Sequence, residues 1–372
     1  MPSEAQVQVL TTQVLWSSFA LALAFGAIAQ RTHFCTMGAL SDIVTMGDWS
    51  RMRMWALAAG VAVLGFNAMV ALGWVQAGDS IYAGQRVIAL SNAVGGLMFG
   101  FGMVLASGCG SKTLVRVGGG NLKSLVVFVV LGVSAFATLK GLTAVWRVST
   151  VDRVAMTLPV GQDLPSLFAL GGGAARDTWA LLLGLVVGGG LLAWALRRPE
   201  GRRPDVLLGG IGIGLVIVAV WWVSGVLGHV PEHPLTLQET FLATNSQRME
   251  SLSFVSPFAY TIDWLIFFSD ASKALSIGIV SVVGVVLGSA AVALATRNFH
   301  WEGFRDAEDT ASHLIGATLM GVGGVTALGC TIGQGLSGLS TLSIGSFVAL
   351  AGILAGGVLA LRWQMWMLER TP

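Results

Sequence analysis

Residues Gly95 to Ser124 read GGLMFGFGMVLASGCGSKTLVRVGGGNLKS. An apolar, glycine-rich run of about fourteen residues leads into Gly108-Cys109-Gly110, followed by Lys112, Arg116, the triple glycine Gly118 to Gly120 and a new apolar helix. A run this short does not cross a bilayer, which takes about twenty apolar residues. The pattern predicts half a helix that breaks at the cysteine. Broken backbone at membrane depth is tolerated only where it is buried in protein or lines a polar cavity. Transporters place their binding sites at such breaks.

The stretch has a twin. Gly316 to Thr341 reads GATLMGVGGVTALGCTIGQGLSGLST, and Cys330 falls on Cys109 at an offset of 221. At that offset Gly95, Gly100, Gly102, Val104, Ala106, Gly108 and Cys109 all meet identical residues. Glycine matches alone would carry little weight, because 50 of the 372 residues are glycine. An ordered series that ends on Gly-Cys marks an internal repeat.

Composition sets the broad class. Apolar residues make up 54% of the chain and charged ones 11%, where soluble domains average roughly 25% charged. This is an all-α polytopic membrane protein with little room for a separate soluble domain. A net charge of +2 without basic runs points to no nucleic acid. Met1 to Gln13 lacks the positive start of a cleavable signal, so the first apolar segment reads as a retained helix. Cys35, Cys109 and Cys330 are the only cysteines, at spacings that fit no zinc or redox pattern.

Apolar segments fall at 14–30, 54–75, 93–121 (broken), 122–139, 178–196, 205–228, 274–296, 312–340 (broken) and 342–361. Residues 31–50 and 229–273 are too polar to span, although Trp264 to Phe268 is apolar enough to dip into the membrane. If the broken segments cross, most basic residues lie on one side; if they re-enter, the division is nearly even. The positive-inside rule favours crossing. That predicts about nine spans, with the N-terminus outside and the C-terminus in the cytoplasm. Gly47 to Arg51 matches Ser269 to Lys273 at an offset of 222, which extends the repeat. Residues 14–139 and 205–361 then form two similar halves, and 140–204 is a linker with one extra helix. An odd number of intervening crossings inverts the second half, so the two Gly-Cys breaks approach the centre from opposite faces.

A thiol is a weak donor and its sulfur a polarizable acceptor. Cys109 and Cys330 at matching breaks, with Cys35 as a further station, suit a sulfur-bearing solute that must be held without being trapped. Backbone N–H groups freed at each break favour an anion. Gly108, Gly110 and Gly329 let the backbone approach it. Lys112 and Arg116 add positive charge after the first break, while Thr331, Gln334 and Ser337 offer uncharged hydrogen bonds after the second. His33 has no ligand set around it, and His229 and His233 belong to a solvated loop. Asp48 and Asp270, each two residues before a serine, read as helix caps. Trp221, Trp222, Trp363 and Trp366 read as core packing or interfacial anchors. No motif calls for a cofactor, a metal, ATP or a buried acid relay.

Three stretches, QRTHFCTMGALSD at 30–42, GFGMVLASGCGSKTLVRVGGGNLKS at 100–124 and GVGGVTALGCTIGQGL at 321–336, resemble the YeeE/YedE family of membrane transporters for sulfur-containing compounds. With the helix pattern the likeness covers nearly the whole chain. It implies an hourglass-like inverted repeat and thiosulfate passage by successive S–H···S contacts at Cys35, Cys109 and Cys330. It also implies a TusA-like sulfur carrier or a rhodanese as cytoplasmic partner. Members commonly show a Cys-Ala-Thr-Gly-Thr-like run after the first break, where this chain has Cys109-Gly110-Ser111-Lys112-Thr113. Thiosulfate uptake across a bacterial inner membrane is the first expectation. Another sulfur or selenium species is an alternative. So are an intramembrane sulfurtransferase working through a cysteine persulfide and a membrane scaffold for a soluble sulfur carrier.

Overall fold

The computed structural model describes residues 3–172, 174–270 and 272–370. Ala271, in the second copy of the Asp-x-Ser match, lies outside them.

Six helices form the first half: α1 Glu4–Thr32, α2 Thr36–Met46, α3 Ser50–Ala71, α4 Ala89–Leu105, α5 Gly110–Gly118 and α6 Leu122–Lys140. The connection holds α7 Leu142–Ser149 and α8 Leu164–Leu170 as well as the long α9 Arg176–Leu196. The second half comprises α10 Pro204–Trp222, α11 Ser256–Ile266, α12 Ile277–Ala295, α13 Ala307–Thr326 and α14 Ile344–Arg370, with a π-helical stretch at Gly333–Gly338. Two-residue strands pair only in the loops, β1 Arg86–Val87 with β2 Met156–Thr157 and β3 His229–Val230 with β4 Thr240–Phe241.

Polar caps set where the apolar helices begin. Ser3 and Gln6 close a capping box on α1, Asn121 accepts from the Ser124 N–H to start α6, and Ser276 and Asp306 do the same for α12 and α13. Among the described residues, eight helical segments are long and apolar enough to cross a membrane. The expected ninth, 312–340, is α13 and its continuation; Glu308 and Asp309 make its first turn acidic. Within the polar residues 31–50, Thr36–Met46 form α2, which follows α1 after a three-residue turn. The aspartates do not cap as expected. Asp48 Oδ1 accepts from the Ser50 N–H and Asp270 Oδ1 from the Ser272 N–H, each at 2.9 Å, but α12 starts only at Ile277 under Ser276. Both aspartates close tight turns.

The helices pack in matching pairs. α1 lies on α12 as α3 lies on α10, and α4 lies on α14 as α6 lies on α13. At the centre α4 crosses α13. A Cβ at Gly102 would stand 2.6 Å from the Gly316 carbonyl, and one at Gly95 would stand 2.6 Å from the Gly323 carbonyl. Rising numbers on one helix meet falling numbers on the other, so the pair is antiparallel. The glycines that repeat in sequence are therefore the ones at which the two halves touch. Small residues let membrane helices approach this closely. Two ion pairs match as well: Arg51 to Asp42 at 2.9 Å ties α3 to α2, and Lys273 to Asp263 at 2.6 Å ties the approach to α12 to α11.

Candidate functional site

Both central helices end in the same way. Gly108 N–H reaches back to Met103 C=O at 2.8 Å, and Gly329 N–H to Gly324 C=O at 2.8 Å. The residues turning the chain, Ser107 and Leu328, take left-handed φ angles of 54° and 59°. Such angles are uncommon outside glycine and costly for a bulky side chain. Cys109 and Cys330 follow two residues later, and their carbonyls accept the Thr113 and Gln334 N–H groups at 2.9 and 2.7 Å. Cys35 repeats the pattern without having a twin. α1 ends at His33 with φ 54°, and two residues on Cys35 starts α2. Its sulfur accepts from Gly38 N–H at 3.3 Å, as the Cys330 sulfur accepts from Gly333 N–H at 3.4 Å. The Cys109 thiol instead lies 3.4 Å from the Ser111 hydroxyl.

Cys109 and Cys330 are fully buried and Cys35 nearly so. The thiols of Cys35 and Cys109 are within reach of each other, and Thr331 lies beside Cys109. Cys330 meets the Phe254 main chain and neighbours Tyr82. Three buried polar atoms in this neighbourhood, Thr331 Oγ1 beside Cys109, Tyr82 OH beside Ser253 and Gln334 Oε1, make no hydrogen bond of ordinary geometry among the described residues. Buried polar groups are nearly always satisfied, so unpartnered hydroxyls around the thiols are donors in reserve. The glycines give the main chain room. A Cβ at Gly110 would be 3.6 Å from Phe254, one at Gly329 3.1 Å from the Gln334 nitrogen, and one at Gly108 3.4 Å from the Lys112 stem.

Open basins lie on either side. One, of about 950 Å³, is lined by Asp79, Arg86, Arg147, Asp152 and Arg248 and reaches Leu328 at the second break. The other, of about 690 Å³, is lined by His33, Lys112, Arg116, Lys123 and Asp309 and reaches Ser107 at the first. They sit at opposite ends of α13, whose first turn carries Asp309 and whose last turn leads to Leu328. Each basin therefore ends at the left-handed residue of one break, and the buried thiols lie between.

Charge is distributed unevenly. In the larger basin Arg147 pairs with Asp152 at 3.4 Å and Arg86 donates to the Asp152 carbonyl at 2.8 Å. Burial pushes the Asp79 carboxyl up from its ordinary value, with Glu239 adding to the effect. In the smaller basin Lys123 is neutralised by Asp309 at 2.9 Å and Glu302 at 3.5 Å. Arg116 donates to the Ser107 carbonyl at 2.8 Å. Lys112, half-buried in the first turn of α5, has no hydrogen-bond or ion-pair partner among the described residues. Gln334 spends its amide N–H on the Ala327 carbonyl.

Residues 31–359 match the model of a family described as sulphur transport. The chain belongs to that family. It is 26% identical over 370 residues to the thiosulfate transporter TsuA of Spirochaeta thermophila, covering 96% of this chain and 100% of that protein. It is also 26% identical over 343 residues to the thiosulfate transporter TsuA of Escherichia coli, covering 89% of each. The protein is thus a multi-pass membrane transporter of sulfur compounds and not an enzyme. Sequence reasoning brought Cys109, Cys330, Lys112, Thr331 and Gln334 forward but missed Tyr82 and Phe254. These are single apolar or aromatic residues in polar loops, with no identical partner at the repeat offset to single them out.

Proposed function

We propose that this protein is an inner-membrane permease that carries thiosulfate into the cytoplasm past Cys330, then Cys109 and Cys35. One observation carries the reading: each of two basins at opposite ends of α13 is lined by the residue two before a buried thiol, Leu328 before Cys330 and Ser107 before Cys109. A hydrated dianion enters the arginine-lined basin and exchanges water for the Tyr82, Thr331 and Ser111 hydroxyls, main-chain N–H groups and S–H donors. Each thiol donates its S–H to the anion. None binds so strongly that release fails, which conduction requires. Lys112, lacking a counter-charge, draws the anion toward the smaller basin, which faces the cytoplasm when the N-terminus is outside and the C-terminus inside. A TusA-like carrier or a rhodanese there would consume the anion. The family supports a sulfur compound as the solute, and the names of the two relatives favour thiosulfate among them.

Uptake of radiolabelled thiosulfate by proteoliposomes holding only this protein tests the reading. A hydrogen bond to a charged group contributes about 1.5–3 kcal/mol, so Cys109→Ala and Cys330→Ala should each slow uptake roughly 10- to 100-fold. Wild-type rates in both variants would return the cysteines to packing.

A further inference from the structure

Between α10 and α11 the chain runs through a segment held by its main chain. Met249 N–H donates to the Asp79 carbonyl at 3.0 Å, and Ile81 N–H donates to the Met249 carbonyl at 3.2 Å. Glu250 N–H donates to the Ser224 hydroxyl at 2.9 Å. Glu250 is thereby fixed in a side chamber of about 110 Å³, whose walls include Ser246, Ser253, Tyr260, Ile81 and Leu328. Ile81 and Leu328 also line the larger basin, so the chamber opens at the second break. Four residues on, the same segment brings Phe254 to the Cys330 thiol.

Among the described residues this carboxylate pairs with no cation. Its one side-chain partner is the Ser246 hydroxyl, 3.3 Å from Oε2. Arg248, two residues earlier, donates instead to the Ser80 carbonyl at 3.5 Å. From α11 it faces Tyr260, with Asp263 behind, and from the loop before β1 it faces Tyr82. α12 contributes Ile277, Gly278 and Ser281, and the second break contributes Leu328, none of them titratable. Burial without a counter-charge pushes the Glu250 carboxyl up to about 7.

We propose that Glu250 is a proton-binding site that links admission of an anion at the larger basin to uptake of a proton. The inference rests on the anion-permease reading. Ionised, Glu250 places a negative charge beside the mouth at Leu328 and repels the anion. Protonated, it leaves that mouth neutral. The coupling is reciprocal: a bound anion raises the proton affinity of Glu250 by the factor by which protonation raises anion affinity. The sign follows, because uptake rises as external pH falls through the value at which Glu250 gains its proton.

The test measures thiosulfate uptake by proteoliposomes at external pH from about 8 to about 6 and fixed internal pH, alongside infrared titration of carboxyl groups in the same membranes. One site titrating near neutrality gives about a tenfold rise across that range. Glu250→Gln should be flat and close to the wild-type rate at the acid end, and should lack the carboxyl band that titrates near neutrality. Glu250→Asp should keep a pH dependence. A Glu250→Gln profile with the wild-type slope, at whatever rate, overturns the proposal. So does a carboxyl band that disappears in Glu250→Gln but titrates in the ordinary glutamate range. Absence of thiosulfate uptake in every protein at every pH would count against the permease reading, and the infrared band, which needs no substrate, would still decide the proton site.

Discussion

At the first break α4 turns through Ser107 and a guanidinium, Arg116, reaches back to its carbonyl; at the second, α13 turns through Leu328 and an amide, Gln334, reaches back to Ala327. The backbones are alike because both must end a helix inside the protein, where the last carbonyls have no partner within the helix. The side chains that answer this need differ. The first half uses a cation and adds the unpaired Lys112, so its break is positive. The second half uses neutral groups, with Thr331 and Ser337 beside them. Symmetry in the main chain thus carries an electrical gradient in the side chains, positive toward the smaller basin. In the proposed permease, that difference would hold the anion more strongly at the first break than at the second.

The most damaging way to break the likeness is at the crossing itself. Gly102→Leu and Gly316→Leu each drive a side chain into the opposing main chain. Overpacking of a filled core costs about 1–3 kcal/mol, and more when backbone must move. Both variants should lose folded yield and thermal stability in detergent to a similar extent. A variant in one half that is tolerated while its counterpart is not would show that the halves do not share the contact.

Next come the two side chains that satisfy carbonyls. Gln334→Leu strands a buried acceptor, at about 1–3 kcal/mol, and Arg116→Leu a half-buried one, toward the low end of that range. Thermal denaturation should place the two losses close together, whereas uptake should suffer more in Arg116→Leu, which also removes charge. Arg116→Gln, copying the second break into the first, should restore stability without restoring the rate. Recovery of both would mean that the charge has no part in conduction.

Lys112→Ala sharpens the comparison with the least disturbance. The ammonium bonds to no described residue, so stability should change by no more than about 0.5 kcal/mol. Uptake should slow and lose part of its dependence on ionic strength, since a screened attraction would be gone. An unchanged rate and salt profile would return Lys112 to the role of a topology signal.

Much of this was legible in the sequence. The two breaks could be read because glycine and cysteine recur at a constant offset, and a two-fold crossing permits no side chain at the points of contact. The unpaired state of Lys112 was not legible, nor was the diversion of the Gln334 amide to Ala327. Each depends on where a side chain finds its partner. Asp270 misled because its turn resembles a helix start, while α12 waits for Ser276. Glu250 gave no signal at all, being one acid in a polar loop.

By itself the sequence determined the membrane class, most of the apolar segments and the two breaks at Gly-Cys. Each of these is a local property, set by hydropathy along the chain and by glycine at regular intervals. Only the tertiary structure decided that Cys35, with no twin, meets Cys109, that opposed basins stop at Ser107 and Leu328, and that Glu250 lies in a chamber without a cation. Those facts follow from packing, which brings together residues far apart in sequence and settles which buried polar group is left without a partner.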